Sequence, residues 1–120
     1  PIPHLMSSFL HVVTETCFWE SKTHLTEKIF KPIVARQPFI LLGCPNNLAY
    51  LKRYGFKTFD AWRDESYDTL QHYDRIQAIY KVVNELDKLS INDRRTMYEE
   101  MKPVLEHNYN RVLELNEQRR

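Results

Sequence analysis

Residues 9–14, Phe-Leu-His-Val-Val-Thr, are apolar and largely β-branched with one polar interruption, a pattern that predicts a mostly buried first strand. Residues 15–24 have no clean period and read as a loop leaving the carboxyl end of that strand. From Leu25 to Arg36 the apolar positions Leu25, Ile29, Phe30, Ile33 and Val34 recur three and four apart, predicting an amphipathic helix with Thr23 or Thr26 as N-cap. Pro32 inside that pattern predicts a kink or a late start. Residues 38–43, Pro-Phe-Ile-Leu-Leu-Gly, form a short unbroken apolar run opened by proline and closed by glycine, as in a central strand of a parallel sheet. Next comes a short helix that Asn46 or Asn47 can cap, carrying Leu48, Leu51 and Tyr54 inward and ending at Gly55, with Phe56 packing back on its end.

Residues 57–59 suit a third, very short strand, and residues 60–68 an acidic, aromatic loop. Beyond it Leu70, Tyr73, Ile76, Ile79, Val83, Leu86 and Leu89 keep a three–four spacing. After Ser90, with Asp93 in capping-box position, Met97, Met101, Val104, Leu105, Val112 and Leu115 resume it, predicting a C-terminal helix pair whose second member bends or breaks near Lys102, ahead of Pro103. The expected fold is α/β: a Rossmann-like partial parallel sheet of two to three strands, helices on both faces, and the helix pair. It reads as one domain, and as the tail of a doubly wound sheet. The start at Pro1 adds to the expectation of a segment cut from something longer.

A chain of 120 residues offers one core. A formal net charge of +1 argues against nucleic acid as the main partner. No apolar run approaches the ~20 residues of a membrane span and no leader pattern opens the chain, so a cytoplasmic setting is expected. Cys17 and Cys44 fit no metal-binding spacing; two reduced thiols is the simpler reading, a disulfide the alternative. With only Gly43 and Gly55, neither a dinucleotide fingerprint nor a P-loop can be built. His4, His11, His24, His72 and His107 show no zinc-enzyme spacing, no serine lies in a nucleophile elbow, and Asp64, Glu65 and Asp68 read as solvated loop charges before they read as a metal cluster.

Ligands of open parallel sheets bind beyond the carboxyl ends of the strands, which points to residues 14–26 and 43–47. The amino end of the Leu25 helix could receive an anion, Lys28 could add a positive charge, and Glu27 could accept hydrogen bonds from a ribose diol. The plain alternative is that Glu27 is an ordinary dipole partner and Lys28 an ordinary solvated residue.

Three segments taken in order, Val12-Val13-Thr14-Glu15-Thr16, Leu25-Thr26-Glu27-Lys28-Ile29-Phe30-Lys31-Pro32-Ile33 and Gln37-Pro38-Phe39-Ile40-Leu41-Leu42-Gly43, resemble the donor-binding segment of GT-B glycosyltransferases, particularly the α1,3-fucosyltransferase-like group. The continuation through residues 51–59 and 65–68 is similar to glycosyltransferase-like proteins met in viral and marine microbial sequences, and the likeness spans about residues 9–90. The resemblance implies the C-terminal half of a two-domain, metal-independent transferase that uses a nucleotide-diphosphate sugar and no further cofactor. Glu27 would hold the donor ribose and Lys28 its diphosphate, with Thr14, Glu15, Thr16 and Thr26 lining the donor side. In such enzymes the acceptor site and the usual base come from an N-terminal Rossmann domain that this sequence lacks, so the chain alone is expected to be inactive. Its helix pair is expected to expose apolar surface or to form a homodimer that covers it. A non-catalytic α/β binding or scaffold module of a viral or cell-surface assembly is the alternative.

Overall fold

The computed structural model describes residues 10–14, 27–42 and 45–118. Strands β1 (His11–Thr14) and β2 (Phe39–Leu42) pair in parallel, His11 opposite Phe39 and Thr14 opposite Leu42. A 3₁₀ turn, Glu27–Ile29, runs into α1 (Phe30–Val34) before β2. Helix α2 (Asn47–Arg53), a second 3₁₀ turn (Ser66–Thr69), α3 (His72–Asp87) and α4 (Ile91–Gln118) follow. The described residues thus form a mixed α/β structure, mostly helical, with a two-stranded parallel sheet and a C-terminal helix pair.

The helix read from residue 25 is regular only from Phe30 to Val34. Pro32 is its third residue, where a helix N–H has no intrahelical partner anyway, so the late start lets the proline sit without losing a bond. Both α1 and α2 close on the same paired hydrogen bonds. Arg36 N–H donates to Ile33 and Gln37 N–H to Pro32; Gly55 N–H donates to Lys52 and Phe56 N–H to Leu51. This closure needs a left-handed residue, and the chain supplies Arg36 (φ 55°) and Gly55 (φ 91°). Gly55 was legible as that residue. Arg36 was not, and it is held there by α4: its guanidinium lies 3.9 Å over the Tyr109 ring and 2.6 Å from Glu106, while its carbonyl accepts from the Tyr98 hydroxyl.

Residues 57–59 form no strand. Three of their backbone groups are taken by side chains instead: Asn108 of α4 accepts from Lys57 N–H and donates to Lys57 C=O, and Glu65 accepts from Phe59 N–H. Nor is β2 a central strand. Its apolar run is buried, Phe39, Ile40 and Leu41 all in the core, yet β1 is its only strand neighbour among the described residues.

The expected inward face of α3 is rotated. Ile79, Val82 and Leu86 enter the core together with Arg75, whereas Tyr73 and Ile76 face solvent. Arg75 fixes that rotation through the bonds described below. Ser90 caps α4 as its position foretold, its hydroxyl accepting from Asp93 N–H at 3.1 Å. Helix α4 then continues unbroken through Pro103, and Met101 and Leu105 on either side of it are buried. With Ile29, Ile33, Leu51, Phe59 and Tyr67 these residues form one core, each large apolar side chain contributing ~1.5–3 kcal/mol of burial. Of the inward set expected on α2, Leu48 and Leu51 are buried and Tyr54 is exposed.

Candidate functional site at the strand ends

Parallel pairing puts the carboxyl ends of β1 and β2 side by side, Thr14 next to Leu42. The 3₁₀ turn Glu27–Ile29, which carries Glu27 and Lys28, packs against β1 and continues into α1. Ile29 anchors that turn in the core while Lys28 is exposed. Glu15, Thr16 and Thr26, along with Leu25, Gly43, Cys17, Cys44, His4 and His24, lie outside the described residues.

Beyond β2 the chain enters α2 through Asn46, itself left-handed at φ 71° and making no side-chain cap. The cap comes from twenty residues away: the Asp68 carboxylate accepts from Leu48 N–H at 2.9 Å and Ala49 N–H at 3.2 Å, and Asp68 C=O accepts from Asn46 N–H. A carboxylate therefore already fills the anion-attracting end of this helix. Asn47, at its head, is fully buried, and neither its amide oxygen nor its amide nitrogen has a hydrogen-bond partner.

The outer edge of β2 is closed by two arginines that sequence reasoning did not single out. Arg63 donates to Phe39 C=O at 2.6 Å; Arg75 donates to Leu41 C=O at 3.3 Å and to Tyr67 C=O at 2.6 Å. Phe39 and Leu41 are the alternate residues whose backbone groups point away from β1, so the arginines take the place of a missing strand. The one available signal was Arg75 itself, a cation spaced with Ile79, Val82 and Leu86 on a helix face that is otherwise apolar.

Burial shifts the titratable groups packed around this edge. It lowers the Arg63 guanidinium, with Tyr67 and Glu65 nearby opposing the change, and it lowers Arg75, opposed by Asp68. It raises the Glu65 carboxyl, against the pull of the Thr58 hydroxyl, the Phe59 N–H and Arg63. Burial likewise pushes the Tyr67 phenol up to about 12, helped by Glu65 and opposed by Arg63 and the Leu41 amide that the hydroxyl faces. That approach falls short of hydrogen-bond geometry.

Asp64 differs from its acidic neighbours in being exposed; its carboxylate accepts from Ser66 N–H, which lowers it. Asp64, Glu65 and Asp68 thus serve three separate local roles, and among the described residues no three His, Cys, Asp or Glu side chains are placed to hold a metal. No described helix is long and apolar enough to cross a membrane. The sequence matches no protein-family model, no curated protein and no solved structure.

Proposed function

We propose that this chain is the nucleotide-sugar-binding half of a metal-independent GT-B-type glycosyltransferase, a Rossmann-like domain that receives its acceptor and its catalytic base from a second, N-terminal domain. The observation that carries the reading is the packing of the Glu27–Ile29 turn against β1, a strand whose carboxyl end lies beside that of its parallel partner. Open α/β sheets take ligands at that place. Sugar transfer leaves negative charge on the departing diphosphate, and Lys28 held at the start of α1 would stabilise that charge as it forms. Glu27 would accept from the ribose hydroxyls, with Thr14, Glu15, Thr16 and Thr26 completing the donor side.

Titration calorimetry with UDP, GDP and their sugar conjugates tests this. Binding that weakens about tenfold or more in both Glu27→Ala and Lys28→Ala is the expected result; undiminished binding in both variants, or none at millimolar ligand, overturns it.

A second reading, a binding module without chemistry, is favoured by one specific feature. The three charged groups at the β2 side, Asp68, Arg63 and Arg75, are all engaged with backbone, so none of them is presented to a ligand. This reading expects no nucleotide affinity.

A further inference from the structure

Charge is divided unevenly along the chain. From Lys28 to Phe59 there are six lysines and arginines, Lys28, Lys31, Arg36, Lys52, Arg53 and Lys57, and no aspartate or glutamate, although the whole chain carries a formal charge of only +1. The balancing acid lies mostly beyond residue 59, on the loop and the helix pair. A basic stretch set in a nearly neutral chain marks a surface suited to the opposite charge.

The fold gathers much of this stretch where α1 meets the end of α2. The Phe30 and Phe56 rings lie 6.4 Å apart, which brings exposed Phe30, Lys31 and Val34 of α1 and exposed Arg53, Tyr54 and Lys57, at and just past the end of α2, into one region of the surface. The carboxylates that border it are engaged: Glu106 lies 2.6 Å from Arg36, Glu114 3.1 Å from Arg111 and Asp60 3.9 Å from Lys52. No carboxylate among the described residues pairs with Lys31, Arg53 or Lys57.

We propose that this face docks an acidic polypeptide segment whose carboxylates meet Lys31, Arg53 and Lys57 and whose apolar side chains pack on Phe30, Val34 and Tyr54. Charge complementarity selects an acidic partner, and the apolar and aromatic side chains set among the cations select a polypeptide. An anionic membrane fits less well, because a helix that lies on one needs a broad apolar face. Helix α1 has five residues and α2 seven, with Leu48 and Leu51 of α2 turned into the core. A nucleic-acid strand fits less well too, because its bases stack on open aromatic faces. The Tyr50 and Tyr54 rings already meet at 4.8 Å, and Arg53 lies 5.7 Å over Tyr50.

Fluorescence anisotropy with the whole chain tests this, using a labelled peptide of Glu and Asp interspersed with Leu and Phe. The peptide should bind more tightly than poly-glutamate of equal length, and more weakly as salt rises. Lys31→Glu, Arg53→Glu and Lys57→Glu, all at exposed positions, should each keep wild-type circular dichroism and weaken binding about threefold, and together about tenfold or more. Lys88→Glu, at an exposed cation just past the end of α3, should leave binding intact. Absence of binding at about 1 mM peptide overturns the proposal. So does poly-glutamate binding as tightly, or Lys88→Glu weakening binding as much as the three changes do. Tighter binding of poly-thymidine or of phosphatidylserine vesicles than of the peptide overturns it as well, and assigns the face to nucleic acid or membrane. None of these variants alters Glu27 or Lys28, so nucleotide titration reads the donor site separately.

Discussion

Tyr67 is the residue whose chemistry differs most from its sequence appearance. In an acidic loop it reads as a surface aromatic; in the fold it is buried at the edge of β2, its phenol raised to about 12 mainly by burial. A phenol raised in the folded state keeps its proton while the unfolded chain loses it. Stability linked to Tyr67 is therefore intact below pH 10 and falls as pH rises from 10 toward 12, by on the order of 2–3 kcal/mol across the two units. Tyr67→Phe should remove that slope. At pH 7 the same change should cost less than ~1 kcal/mol, because the hydroxyl lacks hydrogen-bond geometry. Urea unfolding of both proteins at pH 7, 9 and 10.5 checks this: the gap between them should shift toward the variant as pH climbs, and parallel curves would refute the assignment. Asp68 shows the limit of local reading in a different way. An aspartate in a polar loop looks solvated until the fold brings it to the amino end of α2, and nothing within a few residues of it in the sequence announces that partner.

The elements were legible where their signal is local. The β1 and β2 runs, the Gly55 helix end and the Ser90 cap each rest on a few neighbouring residues and stand where those residues put them. The third strand failed because an apolar-edged triplet does not say whether its backbone will find a strand or, as here, the amide of Asn108. The facing of α3 failed because the helix has two seams, and the sequence does not rank them; only Arg75 reaching Leu41 and Tyr67 does so. Helix α4 was expected to bend or break near Lys102, and it is not broken there: it runs on through Pro103, because burial of Met101 and Leu105 on both sides outweighs one lost hydrogen bond and a ring clash of ~3 kcal/mol. Pro103 is exposed, so Pro103→Ala restores the N–H donor to the Glu99 carbonyl without disturbing the core. It should raise stability by about 1–3 kcal/mol in thermal unfolding; a lower melting temperature would mean that the packing depends on the proline.

At the scale of the whole molecule, the sheet is held on one side by β1 and on the other by two guanidinium groups, an arrangement that makes the small sheet depend on charge as much as on apolar burial. Arg75 joins β2, the second 3₁₀ turn and α3 in one contact set, and Asp68 beside it joins that turn to α2. Arg75→Met keeps the volume and removes the donors, leaving the Leu41 and Tyr67 carbonyls without them and Asp68 without its neighbouring cation. Removing one member of such a buried set costs ~3–5 kcal/mol. Arg75→Lys should recover little, because a single ammonium cannot span two carbonyls as the guanidinium fork does. Adding Arg63→Met would bare the β2 edge as well, and a bare edge pairs with other chains. Thermal unfolding followed together with light scattering should therefore show Arg75→Met melting well below wild type, and the double variant scattering before it has finished unfolding. If Arg75→Met instead melts within ~1 kcal/mol of wild type and the double variant stays clear, the arginines do not close the sheet, and the apolar faces of β2 alone must hold it to the helices.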